Sequence, residues 1–544
     1  MGHQRKIRCA TVALLIAAVM AACSGGSDEP MATTDRGSLP ASAFPTDRCD
    51  EMRELAQLSR RGLYKDRSPE VIPIPAEPNF IGGETTLVHS GPWEYLTRVP
   101  WIIYGPGHID ARGDIGTPVT MADLAPTTAE LIGFDGYRAP DGKPRTEGLT
   151  QRGTPRLVVT VVWDGGGYNV LNHYPDSWPF VSKMMEEGVS YTDFSIGSNP
   201  SVTPSIHTSL GTGAFPRSHG VVGLKMRTQD GAYVNPVGGS DPARIMVPSL
   251  SDLYDRALDN KPKTGMLGSV SWHIGMVGHG AAFQGGDRDP VALLEHERPV
   301  VKTNPSFYSL PDIDAPGQLD RLVDETDLED GERDGKWFDR PLETQKDISK
   351  TPAAVRYNRV LLERMIEREG FGADRIPDLL YVNFKSMDLA GHAYSFLSKD
   401  MPRLLEAEDS ALRQLKRFLD AKVGKERWVM MLTADHGQTL FPKDSGAWPI
   451  RGGELAADLN RRFDPSADGV DLIDRVGASG IYVNTDQLED VTLNEIARWV
   501  GDYRLSENLK DSEEVPGYYE GERDDRIFDA VLVRGKLVVP SCEG

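Results

Sequence analysis

The chain has 544 residues, with 60 Lys or Arg against 81 Asp or Glu, so its formal net charge at neutral pH is −21. This acidic balance argues against a nucleic-acid-binding protein, which needs a basic surface to face the phosphates. Hydrophobic residues make up 39% and charged residues 26% of the chain, values typical of a folded protein rather than a disordered one. Four cysteines in this length exclude a scaffold built from disulfides.

The N-terminus has the features of an export signal. An uncharged run over residues 9–22 is preceded by three basic residues, Arg5, Lys6 and Arg8. The run is too short to span a bilayer comfortably but fits the apolar region of a signal peptide. Small residues before Cys23 resemble a bacterial lipobox, so we predict a lipoprotein signal peptide over residues 1–22 and lipidation of Cys23. The alternative is ordinary cleavage after Ala22, which leaves Cys23 as a free thiol.

Residues 23–47 are rich in small and polar residues and predict a disordered tether. An exported chain on this tether would lie in the cell envelope, anchored by lipid to the outer face of the membrane, or be secreted if no lipid is added. Thiols tend to oxidise outside the cytoplasm. Because the termini of a domain are often close together, we predict a disulfide between Cys49 and Cys542. Two unrelated free thiols are the alternative.

Residues 48–544 contain no second linker, which predicts one domain. Apolar runs typical of buried strands alternate with helical patterns in chain order: strand Leu157–Trp163, helix Ala353–Arg368, strand Leu379–Phe384, helix Pro402–Leu419 and strand Trp428–Thr433. This alternation predicts an α/β fold with a mostly parallel central sheet flanked by helices. The charged, glycine-punctuated stretch 311–350 is expected to be a solvated surface insertion. A calcium loop is the alternative there, although the regular ligand spacing is missing.

Acidic residues follow all three predicted strands. Asp164 ends the first strand and precedes three glycines, Asp388 and His392 follow the second, and Asp435 and His436 follow the third. Ligands of α/β folds bind at the carboxyl ends of parallel strands. The residues that follow any one strand, its exit, could be a solvated carboxylate beside a hydrogen-bonded histidine. The three strand exits together indicate a metal site. Nitrogen and oxygen ligands without cysteine suit zinc or manganese.

A fourth element contains a candidate nucleophile. Residues 199–213 read NPSVTPSIHTSLGTG, in which Pro204 fits the first position of a helix and makes Thr203 its N-cap. A hydroxyl at this place faces the positive end of the helix dipole. Taken by itself, the pattern could be a capping threonine and nothing more.

Together these residues resemble the alkaline phosphatase superfamily, and most of all its nucleotide pyrophosphatase/phosphodiesterase branch and related threonine phosphatases. In that branch the nucleophilic Thr precedes a His by four residues, and Thr-Gly and Pro-x-Ser-His-Gly segments follow; the matching positions here are Thr203, His207, Thr212-Gly213 and residues 216–220. The pairs that follow the second and third strands match the D-x-x-x-H and A-D-H-G motifs of the family. The likeness covers residues 156–223 and 377–437, and it implies an alkaline phosphatase-like three-layer sandwich.

One metal ligand of the family is missing from its usual place. The family needs a third histidine well after the D-H-G motif, whereas His436 is the last histidine of this chain. A segment that resembles the family's C-terminal one lies instead near the N-terminus, over residues 80–135, and includes His89. We therefore predict a circular permutation, which adjoining termini would tolerate. The alternative is that His89 is an ordinary surface residue in an unrelated extension.

The resemblance implies two divalent ions, most simply zinc, with manganese as the alternative. The ligands of the first ion would be His89, Asp388 and His392, and those of the second would be Asp164, Asp435 and His436, beside Thr203. Two such ions stabilise the attacking and leaving oxygens of an in-line displacement. The hydroxyl of Thr203 would contact the second ion and attack phosphorus, which gives a phosphothreonine intermediate.

These features predict an exported two-metal phosphohydrolase that cleaves phosphodiesters or nucleotide pyrophosphates. The alternatives are a phosphomonoesterase of the same superfamily and a non-catalytic surface lipoprotein. The diester preference depends on residues 271–276, which hold no Lys or Arg where related monoesterases place both, and on Leu224 where the family has an Asn. Lys225 and Arg227 could compensate. We expect a small phosphorylated substrate, no nucleic-acid surface, and membrane contact only through the lipid anchor.

Four further histidines have weaker signals. His207 and His219 match family motifs and are expected to pack or form hydrogen bonds beneath the nucleophile helix. His273 and His279 lie in a glycine-rich stretch that could form the rim of the pocket.

Overall fold

The computed structural model describes residues 48–82, 87–150, 152–295, 301–464, 468–488, 490–510 and 513–539. Its strands in chain order are β1 (Val71–Pro75), β2 (Phe80–Ile81), β3 (Trp101–Tyr104), β4 (Gly113–Ile115), β5 (Val119–Thr120), β6 (Leu157–Trp163), β7 (Val189–Tyr191), β8 (Phe194–Ser195), β9 (Met226–Arg227), β10 (Tyr233–Val234), β11 (Thr264–Gly268), β12 (Val291–Leu294), β13 (Val301–Lys302), β14 (Lys336–Trp337), β15 (Arg340–Pro341), β16 (Asp378–Phe384), β17 (Trp428–Thr433), β18 (Pro449–Ile450), β19 (Ile473–Gly477), β20 (Gly480–Val483), β21 (Phe528–Val533) and β22 (Lys536–Val539).

The α-helices are α1 (Arg48–Arg61), α2 (Glu94–Thr97), α3 (Leu124–Leu131), α4 (Tyr168–His173), α5 (Pro179–Glu187), α6 (Thr203–Thr212), α7 (Pro216–His219), α8 (Leu250–Ala257), α9 (Pro316–Asp327), α10 (Gln345–Ile348), α11 (Pro352–Glu369), α12 (Ser386–Tyr394), α13 (Met401–Leu419), α14 (Pro442–Ser445), α15 (Gly452–Phe463) and α16 (Leu493–Asp502). The predicted strands and helices are all present with bounds within one residue. None of the helices in these described ranges is long and apolar enough to cross a membrane.

The central sheet has the strand order β13-β12-β11-β16-β6-β17-β3-β7-β4. Its middle is parallel: β6 pairs with β16 on one side and with β17 on the other, and Leu157 faces both Asp378 and Trp428. β3 runs antiparallel to both of its neighbours. The three strands predicted from apolar runs therefore lie side by side and end at one edge of the sheet, and the mostly parallel α/β fold is confirmed.

Helices cover both faces of this sheet. Val159 and Val161 of β6 pack into the core that contains residues of α11 and α13. Val158 and Val162 point to the opposite face and pack into a second core with residues of α3, α6 and α8. Because side chains alternate along a strand, a run that is apolar at every position must be covered on both sides. The predicted three-layer arrangement follows from that pattern.

A smaller antiparallel sheet has the order β19-β20-β1-β21-β22 and its own core. β1 lies at its centre, paired along its length with β21 from Val71↔Val533 to Pro75↔Phe528. Residues from Arg48 onward form one unit that includes both sheets. The predicted signal peptide, tether and lipidated Cys23 lie outside the described residues.

The stretch 311–350 is more structured than the sequence predicted. α9 contributes Leu319 and Leu322 to the core beneath the central sheet, where they pack with residues of α11. Four of its charged residues, Asp320, Arg321, Asp324 and Glu325, are exposed, which is why the composition alone indicated a solvated insertion. The correct description is an amphipathic helix followed by a short hairpin of β14 and β15.

Cys49 is disulfide-bonded, and Cys542 lies outside the described residues. Helix α1, which contains Cys49, is held to the turn between β21 and β22 by a hydrogen bond of 2.6 Å from Arg60 Nε to the Gly535 carbonyl. The pairing of Cys49 with Cys542 stays a prediction. We expect non-reducing peptide mapping to recover these two cysteines in one linked peptide pair. Alkylation of both thiols without prior reduction would contradict it.

Candidate active site

The acidic residues predicted from the strand exits lie together at the carboxyl edge of the central sheet. Asp164 directly follows β6, and Asp388 lies in the first turn of α12, just after β16. Asp435 and His436 follow β17 after one alanine. All four side chains are buried. Their proximity results from the parallel register of β16, β6 and β17, which ends the three strands at the same level.

The first predicted ligand set comes together around one oxygen of Asp388. Its Oδ1 lies 3.2 Å from His392 Nε2, one helical turn along α12, and 3.6 Å from His89 Nε2. The three ligand atoms lie within 4.8 Å of one another, a spacing that one metal ion can bridge. His89 thus reaches the pocket from a loop near the N-terminus, far in sequence from the other two.

The second predicted ligand set forms an adjoining cluster. His436 Nε2 lies 3.2 Å from Asp435 Oδ2 and 3.5 Å from Asp164 Oδ1. Its ring stacks on that of His89, with the ring centroids 3.4 Å apart, and its Nε2 lies 3.9 Å from Asp388 Oδ1. The two sets therefore share one pocket, as a two-metal site requires.

Hydrogen bonds fix which nitrogen each histidine offers. All three predicted histidine ligands use Nδ1 to donate to a backbone carbonyl, namely His89 to Ser201 at 2.9 Å, His436 to Gly437 at 2.9 Å, and His392 to Leu87. A carbonyl only accepts, so each Nδ1 carries the hydrogen and each Nε2 is free to bind an ion in the neutral ring. Outer hydrogen bonds of this kind orient histidine ligands in metal sites.

Two buried ligand atoms have no hydrogen-bond partner among the described residues. They are His436 Nε2 and Asp435 Oδ2, which lie 3.2 Å from each other but are not aligned for a hydrogen bond. Leaving such atoms unpaired is costly, and buried polar atoms in native structures are nearly always satisfied. A divalent ion would satisfy both atoms, and the mixed nitrogen and oxygen donors suit zinc or manganese. The residues present therefore fit the two implied ions.

Thr203 lies at the amino end of α6, but not at the position that the sequence predicted. The N-cap is Val202, with extended backbone angles of φ −125° and ψ 143°, and Thr203 is the first helical residue. The first turn of a helix needs no N–H from Pro, so Pro204 fits one position later than expected. The Thr203 hydroxyl is not used as a cap and lies 3.4 Å from Lys385 Nζ.

Ser201 ties the histidine loop to the nucleophile loop. Its Oγ accepts from the Gly91 N–H at 3.1 Å and lies 2.9 Å from the Gly91 carbonyl oxygen, to which it can donate. The backbone carbonyl of Ser201 in turn accepts from His89, as described above. The hydroxyl of Ser201 is therefore occupied in positioning residues 89–91, and Thr203 is the better candidate for the nucleophile.

Residues 158–535 match the sequence profile of the type I phosphodiesterase / nucleotide pyrophosphatase family. The chain belongs to this family. As the motifs predicted, it is thereby a member of the alkaline phosphatase superfamily, and membership supports a phosphoester hydrolase.

Curated relatives of this family member are distant. The chain is 23% identical over 397 residues to a "Calcium-transporting ATPase" of Myroides odoratus, a match that covers 63% of this chain and 72% of that protein. It is 24% identical over 332 residues to the alkaline phosphatase PafA of Elizabethkingia meningoseptica, covering 52% and 60% respectively. A crystal structure of wild-type PafA covers 70% of this chain and 84% of its own, at 17% identity and a TM-score of 0.49.

Three further residues lie around Asp164 in this phosphodiesterase-family site, and the sequence analysis did not select two of them, Asn383 and Lys385. Asn383 Nδ2 donates to Asp164 Oδ2 at 2.9 Å, His273 Nε2 lies 3.5 Å from the same oxygen, and Lys385 Nζ lies 2.8 Å from Oδ1. Asn383 and Lys385 lie at the end of β16, where a strand pattern gives no indication of which side chains turn inward. His273, predicted at the rim of the pocket, is fully buried behind it.

The other histidines have structural contacts. His207 Nδ1 donates to the Thr203 carbonyl at 2.9 Å, and His219 Nε2 lies 3.1 Å from Ser209 Oγ, so both lie within the nucleophile helix region as expected. His279 does not reach the pocket, since its Nδ1 pairs with Asp252 at 2.7 Å.

Gly165 allows the backbone after β6 to turn within this crowded edge. Its φ of +72° lies in the left-handed region, and a Cβ there would be 3.2 Å from the Cα of Asp388. A larger residue would be strained and would push the first ligand set away. The first of the three glycines after β6 is therefore required by the close approach of the residues that follow β6 and β16.

The charges in the pocket make metal binding dependent on pH. Burial lowers the pKa of His436, but attraction to Asp435 outweighs burial and raises the pKa to about 9. Burial and the neighbouring His436 lower the pKa of His89 to about 3. At neutral pH without metal, His436 is therefore protonated whereas His89 is neutral.

We expect zinc binding to release protons at pH 7. The ion must displace at least the proton of His436, so its apparent affinity should rise with pH up to about 9 and level off above it. Calorimetric titration with zinc at pH 7, in two buffers of different ionisation enthalpy, measures the number released. A value of at least one proton per chain that falls toward zero above pH 9 is expected; no release at pH 7 would contradict it.

Proposed function

We propose that this chain hydrolyses phosphate esters in a site with two divalent ions, with Thr203 as the nucleophile. The observation that supports this best is the convergence of six ligand atoms in two adjoining sets beside the amino end of α6, where Thr203 lies. Zinc is the proposed ion, and manganese is the alternative. When bound, the ions would supply charge stabilisation to the attacking and leaving oxygens of the displacement.

The chain's own residues determine how the reaction proceeds. The Thr203 Oγ1 attacks phosphorus, the bond from phosphorus to the leaving oxygen breaks, and a phosphothreonine forms. Water then attacks the same phosphorus and returns the Thr203 hydroxyl and phosphate, or a monoester when the substrate is a diester. Thr203 is the first residue of α6, so the positive end of the helix dipole favours the negative charge that develops at its hydroxyl.

Two substrate classes fit this reaction. The sequence predicts phosphodiesters or nucleotide pyrophosphates, and the family to which the chain belongs supports that class. The second candidate is a phosphomonoester, favoured by the buried ammonium of Lys385 beside Thr203. We propose no nucleic-acid partner and a small phosphorylated substrate in either case.

A screen of p-nitrophenyl mono-, di- and phosphonate esters with added zinc or manganese tests the reaction class. We expect turnover of at least one ester that a chelator abolishes and added metal restores. Failure to hydrolyse any of them, in a protein shown to hold two ions per chain, would contradict the proposal. A chain that binds no metal would instead indicate the alternative of a non-catalytic surface lipoprotein.

We further propose that the chain is exported and anchored through a lipid on Cys23. The basic start, the apolar run and the lipobox-like residues support this location. Fractionation of expressing bacteria tests it, because the full-length chain should accompany the membranes and the Cys23→Ser chain should not. Equal distribution of the two would overturn the anchor.

A further inference from the structure

Lys385 places a positive charge between the two ligand sets. It follows β16 directly and is only 6% exposed. Its Nζ lies 2.8 Å from Asp164 Oδ1, 2.7 Å from Asp388 Oδ2 and 3.4 Å from the Thr203 hydroxyl oxygen. The ammonium therefore contacts one carboxylate of each set and the atom proposed to attack phosphorus.

This lysine does not take the place of an ion in the first set. The two histidines face Oδ1 of Asp388, whereas Lys385 contacts Oδ2. In the second set, Asp435 Oδ2 and His436 Nε2 have no hydrogen-bond partner in the described part of the chain. The first set thus keeps all three donor atoms for metal, whereas in the second set Lys385 contacts Asp164 Oδ1 and leaves Asp435 Oδ2 and His436 Nε2.

The charge of the pocket favours one substrate class. The three ligand carboxylates contribute three negative charges, and Lys385 makes the site one unit more positive than the ligand sets alone. A phosphomonoester brings two negative charges on its free oxygens, and a diester brings one. An ammonium fixed next to the nucleophile in a buried site attracts the dianion more strongly, because screening by water is weak there.

The cations considered from the sequence do not supply this charge. Arg227 forms an ion pair with Glu70, and a second hydrogen bond of 3.3 Å leads to the Val483 carbonyl at the smaller sheet. Lys225 is exposed. Lys385 is therefore the basic residue that the structure brings to the nucleophile.

We propose that Lys385 is a catalytic residue that makes this site prefer phosphomonoesters over phosphodiesters. This inference rests on the proposed attack by Thr203, and it reverses the preference expected from the sequence. As the Thr203 Oγ1–phosphorus bond forms and the bond to the leaving oxygen breaks, the ammonium keeps its protons. It donates a hydrogen bond to a free phosphoryl oxygen and stabilises the Thr203 oxygen, whose own proton passes to water.

Kinetics with two esters test the assignment. In Lys385→Met, which keeps the chain length but removes the charge, we expect kcat/KM for p-nitrophenyl phosphate to fall by about 100-fold and that for bis-p-nitrophenyl phosphate by about tenfold. The monoester preference of the wild-type chain should thus shrink by about tenfold. The inhibition constant of inorganic phosphate should rise by a similar factor, since phosphate binding also depends on the ammonium.

Control variants separate this role from a structural one. Lys385→Arg keeps the charge and should keep the monoester preference at a lower kcat. It is the variant to be tested if Lys385→Met does not fold. Lys399→Met removes an exposed lysine that pairs with Asp339 and should leave both substrates unchanged. Metal content should stay at two ions per chain in all three variants.

Several results would overturn the inference. They are a wild-type preference for the diester, an equal loss on both esters in Lys385→Met, a loss of the monoester preference in Lys385→Arg, and an unchanged inhibition constant for phosphate in Lys385→Met. If Thr203→Ala turns over esters normally, the proposed function itself fails. If Thr203→Ala is inactive but the two esters respond equally to the loss of Lys385, only the role of this lysine fails.

Discussion

Replacing Thr203 with Ala is expected to lower kcat for phosphate esters by about 10⁴-fold or more, because it removes the atom that bonds to phosphorus. The fold should be little affected. Helix α6 does not use this hydroxyl as a cap, and the hydrogen bond from His207 Nδ1 goes to the backbone carbonyl of Thr203, which the substitution keeps. In the purified variant, steady-state kinetics measure kcat, circular dichroism measures the fold, and metal analysis measures the number of bound ions.

Matched variants on the same helix sharpen this result. Thr203→Ser keeps a hydroxyl and should retain part of the turnover. Ser205 Oγ is buried without a hydrogen-bond partner among the described residues, so Ser205→Ala should leave turnover nearly unchanged. Normal activity in Thr203→Ala would show that another hydroxyl, or water directly, attacks phosphorus.

Replacing His89 with Ala should remove the first ion and reduce activity about as severely as Asp388→Ala. His89 Nε2 lies 3.6 Å from Asp388 Oδ1, and the two ligands that remain when either residue is lost hold an ion far more weakly than the full set of three. Removing one of three protein ligands costs a large part of the binding energy that the site provides. Mass-spectrometric metal analysis after dialysis should find about one ion per chain in both variants.

His173→Ala is the matched control, because His173 is exposed at the end of α4 and belongs to neither ligand set. It should keep two ions and full activity. Two tightly bound ions and normal turnover in His89→Ala would contradict both the metal role of His89 and the circular permutation proposed for residues 80–135. Loss of metal would support that permutation, since the ligand would then come from the N-terminal side of the first motif.

The parallel centre of the fold could be predicted because its strands are apolar at every position. The same patterns located the strand exits and hence Asp164, Asp388 and Asp435. Lys385 could not be predicted, because it is the single residue between β16 and α12, where only the three-dimensional path decides which side chains turn inward. The D-x-x-x-H motif begins at Asp388 and therefore does not include it.

The smaller sheet escaped prediction for a different reason. Its central strand, β1, reads VIPIP, and proline within a short apolar run argues against an inner strand. The strand is nevertheless paired on both sides, at Val71 with Ile481 and along its length with β21. α9 was underestimated in a similar way, since its charged surface concealed the two leucines that pack inward.

In both sheets, strands from the start of the domain pair with strands from much later in the chain. β1 and β3 are synthesised among the first residues of the domain, yet β17, β20 and β21, with which they pair, follow hundreds of residues later. The central sheet cannot close before β17 is made, and the smaller sheet cannot close before β21 and β22 are made, because contacts between such distant segments form slowly and only once both are present. The nascent polypeptide therefore stays open until synthesis is nearly complete. For a protein that we propose to cross a membrane, this delay keeps the chain extended enough to be threaded through a narrow translocation channel before it folds.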